Sequence, residues 1–89
     1  MNADEAELEK LEFPLTVHFK VIGVYSEDLR THLEIALWEL NIRESIKPGN
    51  MSAKGNYITY NLTTTVFDRE RLRAIDARLR AVEGVRMVL

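Results

Sequence analysis

From Ile58 to Val66 the chain alternates with a period of two. Ile58, Tyr60, Leu62 and Thr64 fall on one side, and Thr59, Asn61 and Thr63 on the other, with Tyr57 joining the second set. That alternation marks a strand with one buried and one free face, and its Thr and Tyr content suits a pleated sheet. A single strand is not stable in water. It needs neighbours along its edges and a cover over its apolar face, so the rest of the chain divides into candidates for those places.

The neighbours come from both directions. Before the strand runs Ser52-Ala53-Lys54-Gly55-Asn56. Gly55-Asn56 has the order a two-residue type II′ hairpin loop favours, which sets Lys54 opposite Tyr57. Pro48 in the preceding stretch lacks a backbone donor and suits an edge strand. Nearer the start, Leu15 to Ile22 also alternates: Leu15, Val17, Phe19 and Val21 against Thr16, His18, Lys20 and Ile22. At the end, Val85, Met87 and Leu89 alternate with Arg86 and Val88 in a short last strand.

Two helices supply the cover. Ser26 is a suitable N-cap, and Glu27 and Asp28 complement the positive end of the helix dipole. Leu29, Leu33, Ala36, Leu37 and Leu40 then share one face of a helix extending to residues 40–42. Ile35, Trp38 and Ile42 do not share it. Continued at 100° per residue they form a second apolar stripe, pointing away from the first. Asp68 caps the second helix, Phe67 and Leu72 stand at staple positions, Leu72, Ile75, Leu79 and Val82 form its buried stripe, and Gly84 stops it.

The order is strand, helix, strand, strand, helix, strand. It predicts an α+β chain of the ferredoxin-like βαββαβ type, with a four-stranded antiparallel sheet. Right-handed crossovers put both helices on one face of that sheet. The other face stays open, with His18, Lys20, Tyr57, Thr59, Asn61, Thr63, Arg86 and Val88 expected on it. At 89 residues the chain has room for one such domain, over 13–89. Residues 1–12 hold five carboxylates against Lys10 and read as an acidic, solvated leader.

Several classes fall away on composition. With no cysteine there is neither a disulfide framework nor a zinc–thiolate site. The start has no signal-peptide core, and no apolar run approaches membrane-spanning length, so the expected setting is the cytoplasm. The formal charge of −2 gives no footprint for nucleic acid. Lys54-Gly55-Asn56-Tyr57-Ile58 superficially matches an RNA-recognition element, but the positions that would stack bases hold Asn56 and Ile58, and Tyr60 points to the core. The five arginines of the second helix alternate with acids and read as a solvated face. His18 and His32 share no ligand spacing, and neither stands near a nucleophile pattern. No enzyme, metal or cofactor is expected.

Lys47-Pro48, the run Ser52 to Tyr57, Phe13-Pro14 ahead of Lys20-Val21-Ile22-Gly23, and the ending Val85-Arg86-Met87-Val88-Leu89 together resemble the YbeD family of small bacterial proteins. The likeness covers nearly all of the chain after the leader. It implies a domain of unknown function with a ferredoxin-like fold similar to the small-molecule-binding ACT regulatory domains. Two departures stand out. The stretch from Pro48 to Ser52 is longer than the family pattern, so the hairpin is expected to carry a bulge or a longer loop. The ACT ligand position at the end of the first strand has Gly23 but no acid or amide before it, which leaves a small-molecule ligand unsupported. The surfaces left for function are the Ile35, Trp38, Ile42 stripe, suited to a protein partner or a second copy, and the open sheet face, suited to RNA or a nucleotide as the second choice.

Overall fold

The computed structural model describes residues 10–89. Its elements are β1 (Leu15–Val24), α1 (Leu29–Glu39), β2 (Lys47–Met51), β3 (Tyr57–Val66), α2 (Arg69–Arg80) and β4 (Val85–Val88). The strands form one antiparallel sheet in the order β2-β3-β1-β4. This is the βαββαβ arrangement expected from the sequence, with the alternating β3 second from one edge and Pro48 on the edge strand β2.

β1 and β3 pair without a break from Leu15↔Val66 to Val24↔Tyr57. Phe19, Val21, Ile58, Tyr60, Leu62 and Val66 point to the helices and are buried. From α1 come Leu29, Leu33, Ala36 and Leu37, and from α2 come Ile75 and Leu79. Among the described residues Thr64 is the one buried polar side chain, and its hydroxyl donates to Glu44 Oε1 at 2.9 Å, which offsets the cost of removing it from water.

Asp68 caps α2 as expected, whereas α1 starts later than Ser26 implied, with Asp28 at its N-cap and no side-chain bond from it. Ser26 Oγ accepts the Leu29 amide at 3.1 Å, through a turn over 27–28 that leads into α1. Asp68 Oδ1 accepts the Arg71 amide at 2.7 Å. Phe67 is 71% exposed, so the expected staple onto Leu72 buries little. α2 ends at Arg80, and Gly84, at φ 93°, closes the turn that follows it.

The hairpin is not the two-residue Gly55-Asn56 turn, but it has the longer loop and the bulge expected from the long stretch between Pro48 and Ser52. Ser52, not Lys54, faces Tyr57: the Ser52 amide donates to Tyr57 O at 2.9 Å, and Ser52 Oγ accepts the Tyr57 amide at 3.0 Å. The Ser52 carbonyl turns the other way and accepts the Gly55 amide at 2.9 Å. Residues 53–56 therefore form a longer loop closed by a serine hydroxyl, a local alternative to the main-chain ladder that Ser readily supplies. Gly55 sits at φ 76°, where a side chain would be strained. The β2–β3 register also shifts between Pro48 and Met51, so the hairpin carries a bulge as well.

At two places apolar residues land opposite to their sequence assignment. A register shift between Ile22 and Gly23 on the β1–β4 ladder pairs Val21 with Val88 and Ile22 with Met87. Val88 is consequently buried and Met87 is 47% exposed, reversing the parity read from the sequence. Ile42 is also buried, for a different reason. Asn41 takes φ 59°, the Ile42 amide donates to Leu37 O at 2.9 Å and the Asn41 amide to Trp38 O at 3.0 Å. These two bonds are a Schellman motif, and it folds the residue after Asn41 back onto the helix's apolar side. The helical angle that set Ile42 beside Trp38 stops applying at residue 40.

Candidate functional site

Two surfaces carry the residues singled out by the sequence. On the helical layer, Ile35 and Trp38 lie three residues apart on α1 and are 46% and 79% exposed. Ile42 is withdrawn from this surface by the Asn41 turn. Leu11, a candidate cover for Trp38, is itself 38% exposed, and Leu8 lies outside the described residues. Ile35 looks into a cleft of about 230 Å³ between the helices, bordered by His32, Arg78, Val82 and Glu83. Arg78 spans that cleft to Glu39, with Nη2 at 2.8 Å from Oε1. His32 is half-buried on the cleft wall.

The second surface is the sheet face away from the helices. Register arranges its side chains in rows across the strands. Leu89, Lys20, Asn61 and Lys47 make one row, and Met87, Ile22 and Thr59 make the next. His18 Nδ1 lies 2.8 Å from Thr63 Oγ1 in the row beyond Lys20. Tyr57 is 45% exposed opposite Val24, while Tyr60 is buried and does not join it. Arg86 is exposed, but it falls at the register shift, and Met87 takes the place beside Ile22 that parity had given to Arg86. Val88, also expected here, faces the core. Met87, Leu89 and Lys47 were missed. Lys47 is legible only once the bulge in β2 is known, and Met87 only once the register shift of the β1–β4 ladder is known.

A further hollow of about 290 Å³ lies beyond the C-terminal end of α1, with Arg43, Glu44, Thr65, Phe67 and Arg71 around it. Arg71, Glu44 and Thr64 on its wall are engaged in holding the chain reversal. Arg71 donates to the Leu40 carbonyl, and Glu44 accepts from Thr64. Among the described residues, no group of three or more His, Asp or Glu side chains converges in a way that could hold a metal ion. No helix of the described residues is long and apolar enough to cross a membrane.

This architecture places the protein among ACT-like ferredoxin folds. The solution structure of protein HP0495 from H. pylori superposes with a TM-score of 0.77 at 14% identity, covering 100% of this chain and 98% of that one. The ACT domain from GTP pyrophosphokinase of Chlorobium tepidum superposes with a TM-score of 0.63 at 20% identity, over 83% of this chain and 94% of that domain. By sequence the chain belongs to a family described as "Protein of unknown function (DUF493)", which it matches over residues 8–89. Relatives include a UPF0250 protein of Shewanella amazonensis, 30% identical over 79 residues, covering 89% of this chain and 90% of the relative. Another, from Shewanella baltica, is 32% identical over 82 residues, covering 91% and 92%. The resemblance to the YbeD family read from the hairpin and the C-terminal strand is thereby shown.

Proposed function

We propose that this protein is a small, non-catalytic binding module of the cytoplasm, acting through a protein contact centred on Trp38 and Ile35. The observation that carries the reading is Trp38 itself. It is the only tryptophan in the chain and stands 79% exposed on a well-packed helix with Ile35 on the same side. Tryptophan is enriched where partners bind, because a large rigid ring buries much area for little lost entropy. The helix needs neither residue for its own packing, since Leu29, Leu33, Ala36 and Leu37 already fill its buried face.

A regulatory role fits the same reading. In one structural neighbour the fold is a domain of a larger enzyme, the GTP pyrophosphokinase of Chlorobium tepidum. A module of this kind influences a partner by occupying a surface, for which the two exposed side chains suffice. The partner is a second copy or a separate protein.

The test is sedimentation of the wild type and of Trp38→Ala, alone and with the proteins that co-purify with the native chain. The reading expects the variant to keep its fold and lose association. Equal association by both proteins, or a Trp38→Ala chain that fails to fold, would remove its support.

A further inference from the structure

The four strands contain no Asp or Glu. Every described carboxylate side chain lies in a helix, a turn or a loop, whereas the strands contribute Lys20, Lys47, Arg86 and His18. No ion pair among the described residues engages Lys20, Lys47 or Arg86. On the face away from the helices, Lys20 and Lys47 therefore stand together in the Asn61 row with no strand carboxylate beside them.

The face also has relief. Lys20 and Lys47 flank Asn61 in one row, two strands apart, so their backbones stand about 10 Å from each other. The neighbouring row is low. Its floor is Ile22 and Thr59, and at the β2 edge Gly49 contributes no side chain; a Cβ there would come within 2.8 Å of Asn61 Nδ2. Beyond that floor Tyr57 rises, two positions along β3, or about 7 Å. Met87 closes the β4 end at 47% exposure, and Leu89, 64% exposed, stands beside Lys20. The result is a shallow trough with an apolar end at Met87, Ile22 and Leu89, and a cationic wall of Lys20 and Lys47.

We propose that this trough binds an extended acidic peptide segment of another protein, with carboxylates placed against Lys20 and Lys47 and an aliphatic side chain against Ile22 and Met87. Charge complementarity selects this occupant. A second copy packed sheet to sheet would bring Lys20 and Lys47 against a surface of the same sign, which is unfavourable at close range. Single-stranded RNA needs a platform of aromatics on which bases stack, whereas the rows beside Lys20 and Lys47 present Ile22, Met87 and Leu89, and the exposed aromatics Tyr57 and Tyr25 stand only at the far end of β3 and β1. Aliphatic side chains alternating with carboxylates match what the trough displays. This surface lies on the other side of the sheet from Trp38, so the inference stands or falls separately from the Trp38 contact.

The experiment uses the full chain and a fluorescent synthetic peptide of alternating Glu and Leu, read by anisotropy. Companion peptides replace every Glu by Lys, or every Leu by Ser. The Glu–Leu peptide is expected to bind. The Lys20→Glu/Lys47→Glu double variant, with its melting temperature checked against wild type, should bind it about tenfold or more weakly and should gain affinity for the Lys–Leu peptide. Met87→Ser should weaken the Glu–Leu peptide and leave the Glu–Ser peptide unchanged. The proposal is overturned if the wild type binds all three peptides alike, if charge reversal changes nothing, or if a single-stranded RNA of matching charge binds more tightly than the Glu–Leu peptide. It is also overturned if adding that peptide dissociates a self-associated form that buries the sheet face.

Discussion

Gly23→Ala is the sharpest single perturbation of this fold. Gly23 ends the alternating part of β1 and sits where that strand passes under both the start of α1 and the turn after α2. A Cβ there would lie 2.8 Å from Leu29 Cδ2 and 3.0 Å from the Gly84 carbonyl oxygen. Neither neighbour gives way cheaply. Leu29 is 1% exposed and enclosed by core, and moving it forces an off-rotamer side chain or a backbone shift, which costs about 1–3 kcal/mol. The Gly84 carbonyl accepts the Val24 amide at 2.8 Å, and losing that bond costs about 1 kcal/mol. The two relaxations compete, so the expected destabilisation is about 2–3 kcal/mol rather than their full sum. For a domain of this size that lowers the melting temperature by roughly 10–20 °C. Urea denaturation followed by far-UV circular dichroism measures it. A second substitution isolates the cause. In a Leu29→Ala background the clashing methyl is gone, so Gly23→Ala should cost at least 1 kcal/mol less than it does in the wild type. A loss below about 0.5 kcal/mol for the single variant, or strict additivity in the double, would refute the close-packing argument.

Other consequences are smaller and equally specific. Asn41→Gly should leave stability unchanged or raise it by about 0.5 kcal/mol, while Asn41→Val should lower it by 1 kcal/mol or more, because φ 59° suits Gly and penalises a β-branched residue; thermal melts decide it. Glu44→Ala should cost about 1–2 kcal/mol by stranding the buried Thr64 hydroxyl, and Thr64→Val in the same background should recover most of that loss in urea titrations. Ser52→Ala should cost about 1 kcal/mol and speed amide exchange at Tyr57, whose amide is held by the serine hydroxyl.

The sequence makes the architecture legible because the strands and helices here obey their own periods. β3 and β1 alternate without interruption, and their pairing has no bulge. The apolar stripes of α1 and α2 likewise fill the core at the positions their spacing indicates. The misassigned residues all stand just past a break in period. Ile42 follows the left-handed Asn41, Val88 and Met87 follow a register shift, and the hairpin loop is closed by Ser52 rather than by Gly55-Asn56. A one-residue slip exchanges the two faces of a strand, so a bulge invisible in the sequence moved Met87 to the open face and Val88 into the core. Trp38 and Ile35 were legible as an unpartnered stripe because they lie inside the regular part of α1. The row of Lys20 and Lys47 was not, because Lys47 joins it only through the β2 bulge.

The contact proposed for Trp38 can be read from its own fluorescence, since no other tryptophan contributes. At about 80% exposure the ring offers a partner roughly 160 Å² of surface, enough for about 4 kcal/mol when it is fully covered. The decisive measurement is the emission maximum of the full chain from dilute to concentrated solution, and then with the proteins that co-purify with it. The account predicts emission characteristic of tryptophan in water for the dilute protein, and a blue shift on association that Ile35→Glu suppresses. Blue-shifted emission even at the lowest concentration, or emission that stays water-like in the bound state, would contradict it.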